Sequence, residues 1–394
     1  MPPKLFILDD DFQYAQLLLE VAQSAGWDAS HEQSPVNFLN YDLPNNAILV
    51  LDLNMPEMDG IEVIRALADK NTDLLLILIS GFDSRVLHSA QQLAEAHHFK
   101  VIASLAKPVP IHEFNKVLSE AKPNINQAKP VKAEKKPVSV FELNKAIQEH
   151  QLVLHYQPQI NMKNNEIEGV EALVRWQHPD RGLLFPDQFI ELAEESNLID
   201  ALTEEVIILA VEQNKQWQSA GFNVAISINV SAQNITSLRL PEQLKELTDK
   251  HTVTPENITL ELTETAVMSE LTSSLDVLNR LRMKGFSLSI DDFGTGHSSL
   301  SHLYKAPFTE LKIDQSFVIQ MIEDNEAMVI VKICIMLGQM LGMKLVAEGV
   351  ETQEIWNELQ NIGCDVAQGY LIAKPMSADK LLEWKDNRQN QKAN

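Results

Sequence analysis

Two adjacent carboxylates, Asp291 and Asp292, stand where the alternating run Ser287-Leu288-Ser289-Ile290 meets the turn Phe293-Gly294-Thr295-Gly296. Side chains alternate faces along a strand, so neighbouring acids converge on one centre only where the strand ends and its backbone turns. Gly294 and Gly296 permit such a turn. Two carboxylates held close repel each other and shift each other's pKa, and a divalent cation is the natural third member of the group. By itself the motif fits a solvated acidic loop or a helix N-cap equally well, so its meaning depends on what the rest of the chain brings to it.

The elements that must position these acids belong to a chain of 394 residues, long enough for two or three domains, with an ordinary globular content of 45% hydrophobic residues. Its net charge of −23 argues against binding a nucleic-acid polymer. An anionic substrate would need bound metal or a local Lys/Arg cluster to offset that field. Cys334 and Cys364 lack the spacing of a disulfide framework or a zinc site and read as buried thiols. The first ten residues show no cleavage site. The most apolar later stretch, 328–347, is interrupted by Lys332, Gln339 and Lys344. A cytoplasmic protein without a membrane span is expected.

Residues 138–394 have the length of an eight-stranded α/β barrel. Strands are expected near 152–159, 167–175, 224–230, 258–262, 287–291, 310–313, 344–347 and 366–371. Only the polar turn 161–165 separates the first two, which makes them an antiparallel hairpin, whereas helix-length segments separate most of the others. The fold class is therefore α/β, a modified (β/α)8 TIM-like barrel with an antiparallel first strand. Working residues of such barrels sit at the carboxyl ends of different strands. Those positions hold Glu171, Asn229, Glu261, Asp291, Asp292, Lys312, Glu348 and Gln368. A core of such groups would be left unsatisfied, whereas a cation cluster would satisfy it. Hard oxygen ligands without His or Cys favour Mg²⁺ or Mn²⁺ over zinc. Bridging carboxylates could hold two ions ~3.5 to 4 Å apart, the arrangement that serves phosphoester hydrolysis by activated water. Lys312 would orient that water or offset transition-state charge, and Arg175 would clamp a phosphate oxygen.

The same residues resemble the EAL-domain family of cyclic di-GMP phosphodiesterases. The match runs through Glu171-Ala172-Leu173-Val174-Arg175-Trp176, Asn229-Val230-Ser231, Glu261-Leu262-Thr263-Glu264, DDFGTGHSSL, Leu311-Lys312-Ile313-Asp314, Glu348-Gly349-Val350-Glu351 and Gln368-Gly369-Tyr370. The resemblance implies cleavage of one phosphodiester of cyclic di-GMP to linear pGpG. It assigns Glu171, Asn229, Glu261, Asp291 and Glu348 to metal, with Asp292 completing the second site. Lys312 and Glu348 would serve the attacking water, and Arg175, Gln157, Asp314, Glu351 and Gln368 the substrate. Glu264 would anchor a loop, 265–274, that couples metal, substrate and the contacts of a homodimer or higher homo-oligomer. One position departs: His297 stands where the family usually has Tyr, which reads as a tolerated ring swap. Two alternatives to the enzyme are a non-catalytic cyclic di-GMP receptor and a glycosidase on the same barrel. The first should have lost a metal ligand or Lys312, and none is lost. The second needs only a carboxylate pair, which leaves Asn229, Lys312 and the crowded acids unexplained.

Residues 1–121 read as a second unit. Apolar strands at 5–8, 48–51, 74–79 and 101–105 alternate with helical patterns, implying a doubly wound parallel sheet with functional groups at the carboxyl ends of its strands. Those ends carry Asp9 and Asp10, Asp52, Ser80 and Lys107. Such acids can hold Mg²⁺, one can accept a phosphoryl group, and Ser80 and Lys107 can bind its oxygens. The segment, with LDLNMPEMDG around Asp52 and Lys107-Pro108, resembles the receiver domain of two-component response regulators. That implies Asp52 phosphorylated by a partner histidine kinase and Mg²⁺ on Asp9, Asp10 and Asp52. Ser104 replaces the aromatic switch residue common three places before the lysine, and the interval from Ser80 to Lys107 is long. Residues 122–137, KPNINQAKPVKAEKKP, have the composition of an extended, solvated linker. No basic helix-turn-helix remains for DNA.

Overall fold

The computed structural model describes residues 4–41, 43–44, 47–70, 72, 74–81, 84–126, 138–264, 271–294, 303 and 305–393. Two compact units emerge, Met1–Lys135 and Lys136–Asn394. The expectations for Gly296 and His297, for 265–270 and for the linker from 127 onward fall outside the described residues, while 271–274, expected as the end of a loop, open the helix Leu271–Met283.

The first unit is a five-stranded, all-parallel sheet: β1 Lys4–Leu8, β2 Asp28–Glu32, β3 Ala47–Asp52, β4 Leu74–Ser80 and β5 Lys100–Ala106, in the order β2-β1-β3-β4-β5. The alternation of its apolar runs sorts them onto two faces. Leu49, Leu51, Leu76 and Leu78 pack with Val63 and Ile64 on one side. Ile48, Val50, Ile77 and Ile79 pack with Leu18, Phe114 and Leu118 on the other. Four strands lie where expected; β2 is additional. Its sequence, Asp-Ala-Ser-His-Glu, forms a half-exposed edge, so it carries no apolar run to announce it. In β5 the register against β4 slips after Leu76–Val101, leaving Ile102 as the extra residue of a bulge. The final helix, Ile111–Asn126, runs five residues past the expected start of the linker. Once Phe114, Leu118 and Ala121 have docked its earlier turns, each added residue needs only propagation, not nucleation.

The second unit contains β6 Leu152–Asn161, β7 Ile167–His178, β8 Gly182–Leu184, β9 Ala225–Asn229, β10 Ile258–Thr263, β11 Ser287–Phe293, β12 Glu310–Ile313, β13 Lys344–Ala347 and β14 Val366–Ala367. Their order is β6-β14-β13-β12-β11-β10-β9-β7, closed by the β6–β7 pairing, while β8 is appended outside on β7. β6 is antiparallel to both neighbours, and the remaining barrel pairings are parallel. Alternation assigns the faces here too. Ile226 and Ile228, Leu260 and Leu262, Leu288 and Ile290, Leu311 and Ile313 join the apolar core with residues of the surrounding helices. The alternate positions Ser227, Thr259, Glu261, Ser289, Asp291, Glu310 and Lys312 are buried and polar. A hydrophobic outer face and polar lumen follow from one period-2 pattern.

β14 is shorter than the expected 366–371. Its chain turns at Gln368-Gly369 and is fastened to the segment after β13: Val350 N–H donates to the Gln368 carbonyl at 3.0 Å and Leu371 N–H to the Val350 carbonyl at 3.0 Å. At Gly369 a Cβ would lie 2.2 Å from the Val350 backbone, so only glycine admits this approach. The turn leaves Gln368 aimed into the lumen rather than continuing a ladder. Among the described residues no helix is long and apolar enough to cross a membrane.

Candidate functional site

At the carboxyl end of the barrel, β11 solves the geometric problem of adjacent acids. Its pairing with β12 breaks between Ile290 and Phe293, and Asp292 takes a left-handed φ of 54°. That turn brings Asp291 and Asp292 to one side, with oxygens of both and of Glu348 within 4.8 Å of one another. Gly294, at φ 105°, continues the turn, and its N–H donates to buried Glu264 at 3.1 Å.

Lys312, fully buried, is the centre of the cluster. Its Nζ lies 2.7 Å from Glu348, 2.8 Å from Glu261, 3.2 Å from Asp291 and 3.8 Å from Glu171. Burial alone would lower its pKa, but these four acids outweigh that and raise it well above the usual lysine range. One ammonium cannot neutralise four carboxylates. Burial and the neighbouring acids therefore push Glu348 up to about 8, Asp292 to about 6, and Glu261 well above its ordinary value. Burial also acts to raise Glu171, but Lys312 and hydrogen bonds from Gln368 and Asn229 bring it below the usual range. The Asn229 amide donates to Glu171 Oε1 at 2.8 Å and the Gln368 amide to Glu171 Oε2 at 2.5 Å.

The donor set suits a hard cation. It is all carboxylate and amide oxygen, carries excess negative charge, and includes a buried Glu261 Oε1 that no donor among the described residues reaches. Glu171, Asn229, Glu261, Asp291, Asp292, Glu348 and Lys312 thus come together. A cleft of about 200 Å³ opens on them, lined by Gln157, Glu171, Asp291, Glu348, Glu351 and Gln368 together with Leu173, Gln315, Gly349, Gly369 and Tyr370. Gln157 lies opposite Glu171 in the β6–β7 register, and its amide donates to the Ala373 carbonyl at 3.1 Å. Asp314 caps the helix Gln315–Gln320, accepting from Ser316 N–H at 2.9 Å, and its charge helps to raise Asp292. Glu351 is exposed at the rim.

Sequence reasoning does not reach Gln159, whose amide donates to Gln368 Oε1 at 3.0 Å and completes a glutamine chain with Gln157. A second Gln two places along an otherwise apolar strand is the signal that could find it. Nor does it reach Phe185, whose ring centroid lies 5.0 Å from the Arg175 guanidinium carbon. No local signal marks that pair.

In the N-terminal unit Asp9 and Asp52 are buried, Asp10 is exposed, and oxygens of the three lie within 4.8 Å of one another. The Lys107 ammonium bridges Asp9 at 2.8 Å and Asp52 at 2.7 Å. Burial works against its charge, but those two bonds outweigh it and raise its pKa; burial likewise raises Asp9. The long interval before Lys107 is taken up by the helix Ser84–Ala96 and the β5 bulge, and Lys107 N–H still donates to the Ser80 carbonyl at 2.7 Å. Ser104 donates to Gln91 Oε1 at 2.9 Å. The ring of Tyr14 lies 4.8 Å beneath the Lys107 ammonium, and its hydroxyl accepts from Val109 N–H at 3.0 Å.

Comparison with known proteins places this geometry. Residues 141–375 match the EAL domain family model. The chain is 30% identical over 338 residues to the cyclic di-GMP phosphodiesterase RocR of Pseudomonas aeruginosa, covering 86% of each protein. It is 39% identical over 251 residues to the bifunctional diguanylate cyclase/cyclic di-GMP phosphodiesterase MucR of the same organism, covering 64% of this chain but only 37% of MucR. The solved structure of the PaMucR phosphodiesterase in its c-di-GMP complex superposes with a TM-score of 0.59 at 40% identity, covering 61% of this chain and 98% of that one.

Proposed function

This chain belongs to the EAL-domain family, and from that premise we propose that its barrel hydrolyses one phosphodiester of cyclic di-GMP to linear pGpG. The observation that carries this reading is buried Lys312 ringed by four carboxylates beside the Asp291–Asp292–Glu348 group. Glu171, Asn229, Glu261, Asp291, Asp292 and Glu348 would hold Mg²⁺ or Mn²⁺, which when bound acidifies water and offsets phosphate charge. Lys312 orients the attacking water and stabilises charge developing on phosphorus oxygens. Glu348, 2.7 Å from the Lys312 ammonium, takes the water proton as the new P–O bond forms, and that proton passes to the leaving ribose oxygen as the ester P–O bond breaks. Arg175 receives a non-bridging phosphate oxygen, and Gln157, Asp314, Glu351 and Gln368 position the dinucleotide. Glu264 holds the Gly294 turn, and with it the two aspartates.

The N-terminal unit acts in this reading as a receiver domain. Asp52 accepts a phosphoryl group from a histidine kinase, Asp9, Asp10 and Asp52 would hold Mg²⁺, and Ser80 and Lys107 bind the phosphoryl oxygens. The parallel-sheet order and Lys107 bridging Asp9 and Asp52 support it. The Ser104–Gln91 bond stands in place of an aromatic switch, so the relay differs from aromatic rotation. A homodimer is supported by the exposed stripe Val329, Ile333, Met336 and Met340 on the helix Asn325–Leu341, a spacing suited to pairing with its own copy.

The test is hydrolysis of cyclic di-GMP with Mg²⁺ or Mn²⁺ by wild type and Glu171→Ala, with and without a small-molecule phosphodonor. Metal-dependent pGpG formation abolished by the substitution is expected. Binding without turnover by the wild type would instead establish a receptor.

A further inference from the structure

Arg175 stands four residues beyond Glu171 on the same face of β7, and the charges of Glu171 and Asp187 act on its guanidinium, yet few bonds hold it. It is 6% exposed, and among the described residues it makes no ion pair within 4 Å. Its Nη1 donates to the carbonyl of its own neighbour Val174 at 2.8 Å, and its Nε is buried with no hydrogen-bond partner among the described residues. A buried guanidinium left this free normally swings toward water or an acid. What lies over it is the ring of Phe185, 5.0 Å away.

Phe185 is not part of the barrel wall. It follows β8, which folds back on β7 with Leu184 opposite Trp176, and that register sets the next residue beside Arg175. Phe185 is left 48% exposed, so burial does not account for an aromatic there. Contact with a cation does: the face of an aromatic ring attracts a guanidinium, most strongly where water is scarce.

We propose that Phe185 is a positioning residue for Arg175, holding its guanidinium at the mouth of the cleft so that a phosphate oxygen of the substrate meets donors already desolvated and ordered. This deepens the phosphodiesterase reading and rests on it. Binding then avoids freezing a long side chain, so the gain is in substrate affinity rather than in the chemical step.

Phe185→Leu removes the ring face and keeps apolar bulk, whereas Phe185→Tyr keeps the face. Each is assayed with saturating Mn²⁺ on cyclic di-GMP and on bis(p-nitrophenyl) phosphate, a phosphodiester without bases, alongside the Kd for cyclic di-GMP in EDTA. Phe185→Leu is expected to raise KM about tenfold on both esters, and Kd about tenfold, with kcat within about twofold; Phe185→Tyr stays within about twofold of wild type throughout. If Phe185→Leu melts lower than wild type, Phe185→Met replaces it under the same criteria. Unchanged KM in the Leu variant overturns the proposal, as does an equal loss in the Tyr variant. A loss confined to cyclic di-GMP overturns it too, because it would make Phe185 a surface for a base. Wild-type binding without turnover ends the enzyme reading, and the Kd series still decides the role of Phe185. Absence of both binding and turnover in the wild type overturns both.

Discussion

Raising the pH of the metal-stripped protein from 5 to 8 should destabilise the barrel, and Glu348 should account for part of the loss. Its carboxyl is pushed up to about 8 by burial and by Asp291 and Glu171, against the pull of Lys312 at 2.7 Å. A carboxyl that binds its proton more tightly when folded stabilises the fold while protonated, fully so below its unfolded pKa. That contribution is lost as pH climbs through the folded pKa. Three pH units at about 1.4 kcal/mol each set a ceiling of about 4 kcal/mol, and sharing of the proton among Glu261, Asp292 and Glu348 lowers the yield of any one residue. Thermal unfolding in EDTA, followed by tryptophan fluorescence, reads the barrel selectively, because Trp176, Trp217, Trp356 and Trp384 lie in it and only Trp27 in the first unit. The midpoint of the wild type should fall between pH 5 and 8 more steeply than that of Glu348→Gln, which cannot titrate. Mg²⁺ or Mn²⁺ at pH 8 should recover the loss, about 2.7 kcal/mol at one hundred times Kd, because the cation takes over the proton's part. Identical slopes for the two proteins, or a wild-type midpoint that rises with pH in EDTA, would refute the electrostatic account of the site.

Three further outcomes are expected. Gln368→Ala, which frees both the Glu171 carboxylate and the glutamine chain behind it, should weaken metal binding 10- to 100-fold by calorimetry while leaving the fold intact. Gly294→Ala should lower stability by about 1–3 kcal/mol in denaturant titration, since φ 105° is strained for any side chain and the new Cβ would lie 3.1 Å from the Phe317 ring. Asp52→Asn should make cyclic di-GMP turnover indifferent to a phosphodonor that changes wild-type turnover by several-fold; an equal response in both proteins would remove the N-terminal unit from the control of the barrel.

Much of this protein was legible from sequence because its chemistry is carried by strand ends. A strand is announced by its apolar run, and the residue that follows is then known to lie at the carboxyl edge. Asp52, Ser80, Lys107, Asn229, Glu261, Asp291, Lys312 and Glu348 could therefore be gathered without coordinates. The polar edge strand β2 carries no apolar run to announce it, and the three-residue β8 is too short for a period to show. Tertiary structure decided how those ends meet. The left-handed turn at Asp292 makes adjacent acids convergent. The Gly369–Val350 approach ends β14 early and turns Gln368 onto Glu171. The fold-back of β8 places Phe185 over Arg175. The division has one physical cause. Alternation along a strand is a local property written in consecutive residues, whereas the charge balance around Lys312 depends on distances between strands far apart in the chain, which only closure of the barrel sets.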